Sequence, residues 1–326
     1  MGAAYTARVR GGAPKWPELA VQYADYSVWQ RELLGDETDP DSVLSTQLGY
    51  WREALSGLPS PVRLPTDRPR PPVASHRGDV VDRTVDEALL AKVEGLAKRH
   101  GASVPMVFQA ALAVLLQQLG AGEDVVIGST IAGRRDTDLA DLVGFFVNTW
   151  VLRTDLSGTP SFEQVLAQVQ DKALAAYDNQ DAPFECLVEA LNPQRSMAYH
   201  PLFQVMFTWS TGAWVELELP GGLRADFGPL WTSMAKFDLE FCFFDEPGEP
   251  GLSVFLEYAT DLFDRSTVQA VMDRLVRLVE QLVDAPSRAV ALSDLLEPAE
   301  RERFLIDVND TAAEIPGLSI PGLFER

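Results

Sequence analysis

Histidine, the residue that most often moves protons in catalysis, is scarce in this chain of 326 residues. It contains three histidines, His76, His100 and His200, and no two of them are adjacent. His76 follows a proline-rich segment, and His100 falls at the predicted C-terminus of a helix, where a cation meets the negative end of the helix dipole. We interpret both as structural, whereas His200 has no such explanation and stays a candidate functional group.

Motifs for nucleophiles, phosphates and metals are missing from the sequence as well. It contains no Gly-x-Ser-x-Gly elbow, Walker loop or dinucleotide-binding glycine pattern. The two cysteines, Cys186 and Cys242, suit neither a disulfide framework nor a metal site, and we expect them to pack in the core. The sequence therefore predicts no bound metal, no directly bound cofactor and no complete acid-base set.

An amide and a hydroxyl stand inside an otherwise apolar run, Val143–Arg153. If the run is one extended strand, both of its faces are apolar, which predicts burial on both sides. The amide of Asn148 must then find partners in the interior, because an unpaired amide costs about 1–3 kcal/mol. Two interpretations stay open: Asn148 closes a local gap in backbone hydrogen bonding, or Asn148 and Thr149 belong to a functional site.

Composition excludes several classes of protein. The 27 basic and 48 acidic residues give a net charge of −21, which argues against nucleic acid as a partner. The sequence shows neither an apolar stretch of membrane-spanning length nor a secretion signal, so we expect a soluble, cytoplasmic protein without a membrane partner. A hydrophobic content of 46% suffices for a large core.

Helical and strand patterns alternate along the chain, which predicts a layered α/β fold with a central mixed sheet flanked by helices. We expect Trp150, Phe203 and Trp209 in its core. Helices are predicted over Tyr23–Leu34, around Leu48–Leu55, and over Val85–His100, Ser103–Gly120, Ser161–Val169, Pro183–Leu191 and Val268–Val283. Strands are predicted over Val125–Gly128, Phe203–Trp209, Phe237–Phe244 and Leu252–Tyr258, besides the run that contains Asn148.

A proline-rich segment, Leu58–Val73, interrupts these patterns. Its six prolines disfavour helix, and we interpret it as an extended connection between two lobes.

Four segments resemble, in order and spacing, motifs of the condensation domains of nonribosomal peptide synthetases. Tyr23–Gln30 resembles that family's Tyr-x-Asp-Tyr-Ala-Val-Trp-Gln motif, and Val143–Arg153 resembles its Gly-x-Phe-Val-Asn-Thr motif. Asn179–Glu185 matches its Gln and Pro-Phe-Glu element, and Arg195–Leu202 is similar to its Arg-Asp-x-Ser-Arg-Asn-Pro-Leu. The motif residues are Tyr23, Asp25, Tyr26, Trp29, Gln30, Gly144, Phe145, Gln180, Pro183, Phe184, Glu185, Arg195, Pro201 and Leu202.

The sequence also departs from the family pattern. In the last motif, Ser196, Ala198 and Tyr199 replace the family's Asp, Ser and Arg, and His200 stands where Asn is usual. The family's His-His-x-x-x-Asp-Gly signature, whose second histidine is the proposed base or positioning group, does not occur in the sequence. We therefore expect that most of the N-terminal lobe is missing, that no catalytic residue lies in this chain, and that the chain is inactive alone.

The resemblance implies a fold of the chloramphenicol-acetyltransferase type. It also implies amide-bond formation between aminoacyl or peptidyl thioesters that carrier domains deliver on phosphopantetheine arms, through a tunnel between two lobes. Asn148, Thr149, Arg153, Asp181 and His200 are then candidates for the tunnel or lobe interface. For Asp181 we favour a structural role at the start of a helix, with Pro183 setting its first turn.

The resemblance further implies a division of the chain. We expect a helical remnant of the N-terminal lobe over 1–57, the inter-lobe linker over 58–75, the C-terminal lobe over 76–290, and a linker toward an adenylation domain over 291–326. The expected partners are peptidyl carrier domains, an adenylation domain and the missing lobe. An alternative stays open, in which the chain is a noncatalytic module for carrier docking or scaffolding.

Overall fold

The computed structural model of the chain describes residues 2–58, 61–312 and 320–325, and these residues fall into two compact units that divide at Asp294. Ten helices and eight strands are assigned in this described part. The helices of the first unit are α1 (Gly2–Val9), α2 (Tyr23–Leu34), α3 (Val43–Ala54), α4 (Glu87–His100), α5 (Val104–Leu116), α6 (Phe162–Asp178), α7 (Phe184–Leu191) and α8 (Arg265–Asp284). The second unit contains α9 (Pro298–Leu305) and α10 (Ile320–Phe324).

A six-stranded mixed sheet forms the centre of the first unit, as the alternating patterns predict. Its strand order is β1-β8-β7-β4-β2-β3, with parallel pairs only at β2/β4 and β4/β7 among the described strands. The strands are β1 (Gly78–Val85), β2 (Asp124–Ile131), β3 (Asn148–Asp155), β4 (Val205–Thr211), β7 (Leu239–Asp245) and β8 (Leu252–Ala259). A separate hairpin pairs β5 (Val215–Leu219) with β6 (Leu223–Phe227). Neither this hairpin nor β1 is among the strands that the sequence patterns predict.

Helices α4, α5, α6 and α8 pack together on one face of the sheet. Helix α5 is buried on nearly every side, as its all-round apolar pattern predicts. The span Val104–Ala121 is long and apolar enough to cross a membrane by length and composition alone, but most of it is buried inside the protein. Its position indicates a central core helix rather than a surface element.

Several boundaries follow from the caps that the sequence contains. Ser161 and Gln164 form the expected capping box at the start of α6, and Gly101 ends α4 in the left-handed conformation with φ 65°. Pro183 is the N-cap of α7 rather than a residue of its first turn. The described residues of the proline-rich segment are irregular, as expected, since proline cannot donate the hydrogen bonds of a helix.

The prediction of one buried strand from Val143 onward is wrong in its first half. The strand begins only at Asn148, and Val143, Phe145 and Val147 are 94%, 76% and 48% exposed. Phe146 alone in this half turns inward, where it packs against Tyr26. Apolar residue types therefore did not distinguish a sheet interior from an exposed loop.

The other core predictions hold in part. Trp150, Phe203 and Cys242 are buried as expected, whereas Trp209 and Cys186 are only partly buried.

Candidate functional site

Three of the four sequence motifs line one cavity of about 280 Å³, which we call the motif cavity. Helix α2, the loop before β3 and the segment between α6 and α7 form its walls, although these elements lie up to 160 residues apart in sequence. The motif and candidate residues from the sequence analysis that line this cavity are Tyr23, Tyr26, Gln30, Phe145, Asn148, Thr149, Gln180, Asp181, Pro183, Phe184 and Glu185.

Aromatic packing attaches α2 to the loop before β3. The rings of Tyr23 and Tyr26 lie 5.3 and 4.8 Å from the ring of Phe146, and the Tyr23 hydroxyl donates a 2.8 Å hydrogen bond to the Phe145 carbonyl. A side chain at Gly144 would clash with Tyr23, because an added Cβ would lie 2.1 Å from its Cδ2 atom. The glycine of this motif is therefore required by close packing.

All hydrogen-bonding capacity of the Asn148 side chain is used inside the protein. Its Nδ2 donates to the carbonyls of Gln180 and Ala182 at 2.9 and 2.8 Å. Its Oδ1 accepts from the backbone N–H groups of Thr149 and Phe184 at 2.9 and 3.1 Å. The first of the two open interpretations is thus confirmed, because Asn148 satisfies backbone groups that secondary structure leaves unpaired.

The expected role of Asp181 at the start of a helix is wrong. Helix α7 receives its side-chain cap from Asn148, whose Oδ1 is the acceptor for Phe184 N–H. The Asp181 carboxylate instead accepts from Gln47 Nε2 at 3.1 Å and from an Arg135 nitrogen at 2.9 Å. The Asp181 side chain binds Gln47 of the distant helix α3 instead of capping α7, and sequence spacing alone does not predict such a long-range contact.

Two residues outside the motifs complete this arrangement. Gln47 of α3 is buried, and its Oε1 accepts from the backbone N–H groups of Asp181 and Ala182 at 3.0 and 2.8 Å. Trp51, one turn further along α3, donates from Nε1 to the Asn179 carbonyl at 2.9 Å. Gln47 carried a signal in the sequence, since it is a polar residue four positions before Trp51 on the apolar face of its helix.

Other motif residues have roles away from the motif cavity. Asp25 caps its own helix through the backbone of Gln22, at 2.9 Å. Trp29 lines a second cavity of about 230 Å³ beside α2. Arg153 binds Asp124 at 2.8 Å and the carbonyls of Ala54 and Ser56, which ties the edge strand to the end of α3. Its contacts are structural ones, and it does not line the motif cavity.

The fourth motif lies elsewhere. Arg195 is exposed, and Pro201 and Leu202 line a separate cavity with the end of α7. His200 faces a further cavity of about 300 Å³, together with Tyr199 and Arg70. The guanidinium of Arg70 forms a two-pronged ion pair with the buried carboxylate of Asp238.

The imidazole of His200 lies among the rings of Phe184, Phe203 and Phe237, at centroid distances of 4.2–5.6 Å. Its Nδ1 has no hydrogen-bond partner. Burial lowers its pKa to about 4, so the ring is neutral at physiological pH. Neutrality and burial suit packing between α7 and β4 better than proton transfer.

Among the described residues, no group of three or more His, Cys, Asp or Glu side chains is arranged to hold a metal ion.

Comparison with known proteins agrees with the family resemblance. The condensation domain family matches residues 1–305, and the chain therefore belongs to that family. It is 48% identical over 326 residues to a probable non-canonical nonribosomal peptide synthetase, CymA, of Salinispora arenicola, covering 100% of this chain and 4% of that protein. It is 46% identical over 330 residues to a dimodular nonribosomal peptide synthase of Bacillus subtilis, covering 100% of this chain and 14% of that protein.

A solved structure supports the fold. The complex of the X-domain and OxyB from teicoplanin biosynthesis matches with a TM-score of 0.82 and 36% identity, covering 91% of this chain and 65% of that one. The predicted fold class, a mixed sheet flanked by helices in the chloramphenicol-acetyltransferase type, is confirmed.

Proposed function

We propose that this chain supplies part of a condensation domain that forms amide bonds between carrier-bound aminoacyl or peptidyl thioesters. The convergence of three distant motifs on the motif cavity carries the proposal. Its residues combine aromatic walls with the amide of Gln30 and the hydroxyl of Thr149, a surface suited to an extended chain with both apolar and amide groups.

The proposed reaction joins an acceptor amine to a donor thioester. The amine nitrogen attacks the thioester carbonyl, the new C–N bond forms and the C–S bond breaks. The donor arm leaves as a thiol that takes up the proton released by the amine. Holding two reactants in the attacking geometry is the larger part of such catalysis. The hydrogen bonds of Asn148 and Gln47 around residues 179–184, which we call the clamp, would provide that rigidity here.

The proposal keeps the domain division expected from the sequence. Residues 1–57 belong with an N-terminal lobe, 58–75 connect the lobes, 76–290 form the C-terminal lobe, and 291–326 lead toward an adenylation domain. The partners are peptidyl carrier domains with phosphopantetheine arms, an adenylation domain and an N-terminal lobe, in the cytoplasm. The chain spans 4% and 14% of the two synthetases above, so these partners would lie in the same longer proteins.

The absent His-His-x-x-x-Asp-Gly signature must then come from that lobe, and the chain alone is expected to be inactive. The test mixes the chain with a separately produced N-terminal lobe and two loaded carrier domains, and follows the dipeptidyl carrier by mass spectrometry. Product should form only when both lobes are present. If the reconstituted mixture gives no product, the proposal that the two lobes together form the active domain fails.

A matched pair of variants ties this activity to the motif cavity. Phe145→Ala removes an exposed ring from the cavity wall and should lower the rate about tenfold, since loss of positioning is costly. Phe304→Ala removes an exposed ring of α9 and should leave the rate unchanged. Equal losses in both variants would separate the activity from this cavity.

A second candidate is a docking module without chemistry. One comparison motivates this candidate: the similar X-domain has been solved in complex with another protein, OxyB. Binding of carrier domains by the chain, together with no product after reconstitution, would support this candidate over the first.

A further inference from the structure

The motif cavity adjoins the second cavity beside α2, and one ion pair lies in their common wall. Arg135 and Asp181 line both cavities, together with Tyr26, Gln30 and Gly133. One guanidinium nitrogen of Arg135 lies 2.9 Å from each oxygen of the Asp181 carboxylate. The pair thus stands where the two cavities would otherwise be continuous.

The two partners are held to different degrees. Gln47 anchors Asp181 at both its carboxylate and its backbone N–H, so Asp181 keeps polar contacts without the arginine. The Arg135 side chain is 60% exposed, whereas that of Asp181 is 21% exposed. Gly133 fixes the loop that carries Arg135, since its φ is 69° and a Cβ there would lie 1.9 Å from the Phe146 carbonyl oxygen. The backbone position of Arg135 is therefore fixed while its side chain is able to swing.

An ion pair of this exposure is exchangeable. Exposed pairs contribute little to stability, so a competing anion with good geometry is able to displace the carboxylate. Phosphate oxygens match the planar donors of a guanidinium as well as a carboxylate does. Arg135 is the one cationic side chain that lines either cavity in the described part of the chain, and the whole chain carries a net charge of −21.

We propose that Arg135 binds the phosphate of a phosphopantetheine arm, and that Asp181 holds the arginine when the cavity is empty. This inference rests on the proposed function, since it specifies how the motif cavity would receive a carrier's arm. Binding exchanges one anionic partner of Arg135 for another and opens the wall between the two cavities. The apolar and amide parts of the pantetheine then lie along the aromatic wall of the motif cavity.

The test is an NMR titration of the chain with three probes: 4′-phosphopantetheine, pantetheine and inorganic phosphate. Phosphopantetheine should bind about tenfold more tightly than either other probe, because only it meets both the arginine and the cavity wall. In Arg135→Ala the preference over pantetheine should fall to about one. Arg83→Ala, which removes a 51% exposed arginine paired with Asp273, should keep the wild-type preference.

Asp181→Asn distinguishes an exchange of anions at Arg135 from a purely structural role of the ion pair. It keeps the size and one acceptor of the side chain but removes the competing charge, so phosphopantetheine should bind about threefold more tightly while pantetheine binding stays the same. Weaker phosphopantetheine binding in this variant, or an unchanged preference in Arg135→Ala, overturns the inference.

The wild-type titration separates the inference from the proposed function. Equal binding of pantetheine and phosphopantetheine overturns the role of Arg135 and leaves the cavity as an arm site. Inorganic phosphate that binds as tightly as phosphopantetheine makes this a site for free anions and also overturns the inference. Failure of both pantetheine probes to bind removes the inference and the proposed role of the cavity together.

Discussion

Two partly buried polar regions of the protein differ in how their polar groups are paired. Around residues 179–184, the neutral amides of Asn148 and Gln47 pair with backbone groups from several sides. In the sheet, Glu240 and Glu257 stand directly opposite each other on β7 and β8. In the first region neutral amides are paired with backbone groups, whereas the second places two carboxyl groups together.

The carboxyl pair has an electrostatic consequence. Burial, followed by the adjacent Glu240, raises the pKa of Glu257 to about 7, although Lys236 partly opposes the shift. Glu240 accepts a 3.2 Å hydrogen bond from the Thr208 hydroxyl, and the buried Cys242 lies two residues further along the same strand. Paired amides fix geometry without pH dependence, whereas neighbouring carboxyl groups make stability depend on pH.

The largest expected effect is at Asn148. Asn148→Ala removes four hydrogen bonds and leaves two carbonyls and two N–H groups without this partner, so the free energy of unfolding should fall by about 3 kcal/mol. Urea denaturation at pH 7 measures it. Asn179→Ala, which loses one bond to the Ala175 carbonyl, should cost about 1 kcal/mol. Similar losses in both variants would show that the clamp is not special.

Gln47→Leu tests the other half of the clamp. It preserves the buried volume but leaves the N–H groups of Asp181 and Ala182 without an acceptor, at a cost of about 2 kcal/mol. Gln118→Leu is its control, because Gln118 makes a single 2.8 Å bond to the Val290 carbonyl. A Gln47 variant no less stable than this control would refute the assignment.

His200 should make stability fall in acid. Its pKa of about 4 in the folded state lies below the unfolded value of about 6.5, so the unfolded chain binds the proton first as pH falls. Between pH 7.5 and pH 5 this linkage should remove about 2 kcal/mol from wild type. His200→Phe keeps an aromatic ring among Phe184, Phe203 and Phe237 and should remove that part of the pH dependence. An unchanged pH profile would mean that the ring titrates normally.

Glu257 should act in the opposite direction and with the smallest effect. Its folded pKa of about 7 lies above the unfolded value, so its contribution is greatest in acid and is lost as pH rises through 7. Glu257→Gln should therefore gain about 1 kcal/mol at pH 8 relative to pH 5, after allowance for solvent screening of a half-buried group. Unfolding at the two pH values measures this, with the exposed Glu94→Gln as control. An equal gain in the control would rule out the carboxyl pair as its source.

Local sequence signals were enough to predict the family, the fold class and most helices of the first unit. Four motifs in the family's order and spacing were enough to identify the family, because motif order and spacing can be read without knowing the folded structure. Capping residues and hydrophobic periodicity are local signals, so α4, α6 and α8 follow from them directly.

The construction of the motif cavity, in contrast, depends on long-range packing that no local pattern predicts. The exposure of Val143, Phe145 and Val147 depends on where α2 packs, and the same apolar residues would suit a buried strand. The partners of Asp181 come from α3 and from the loop after β2, far away in sequence, so no local rule predicts them. Long-range hydrogen bonds and ion pairs are set by the packing of whole elements, and sequence patterns report only which residues are available to form them.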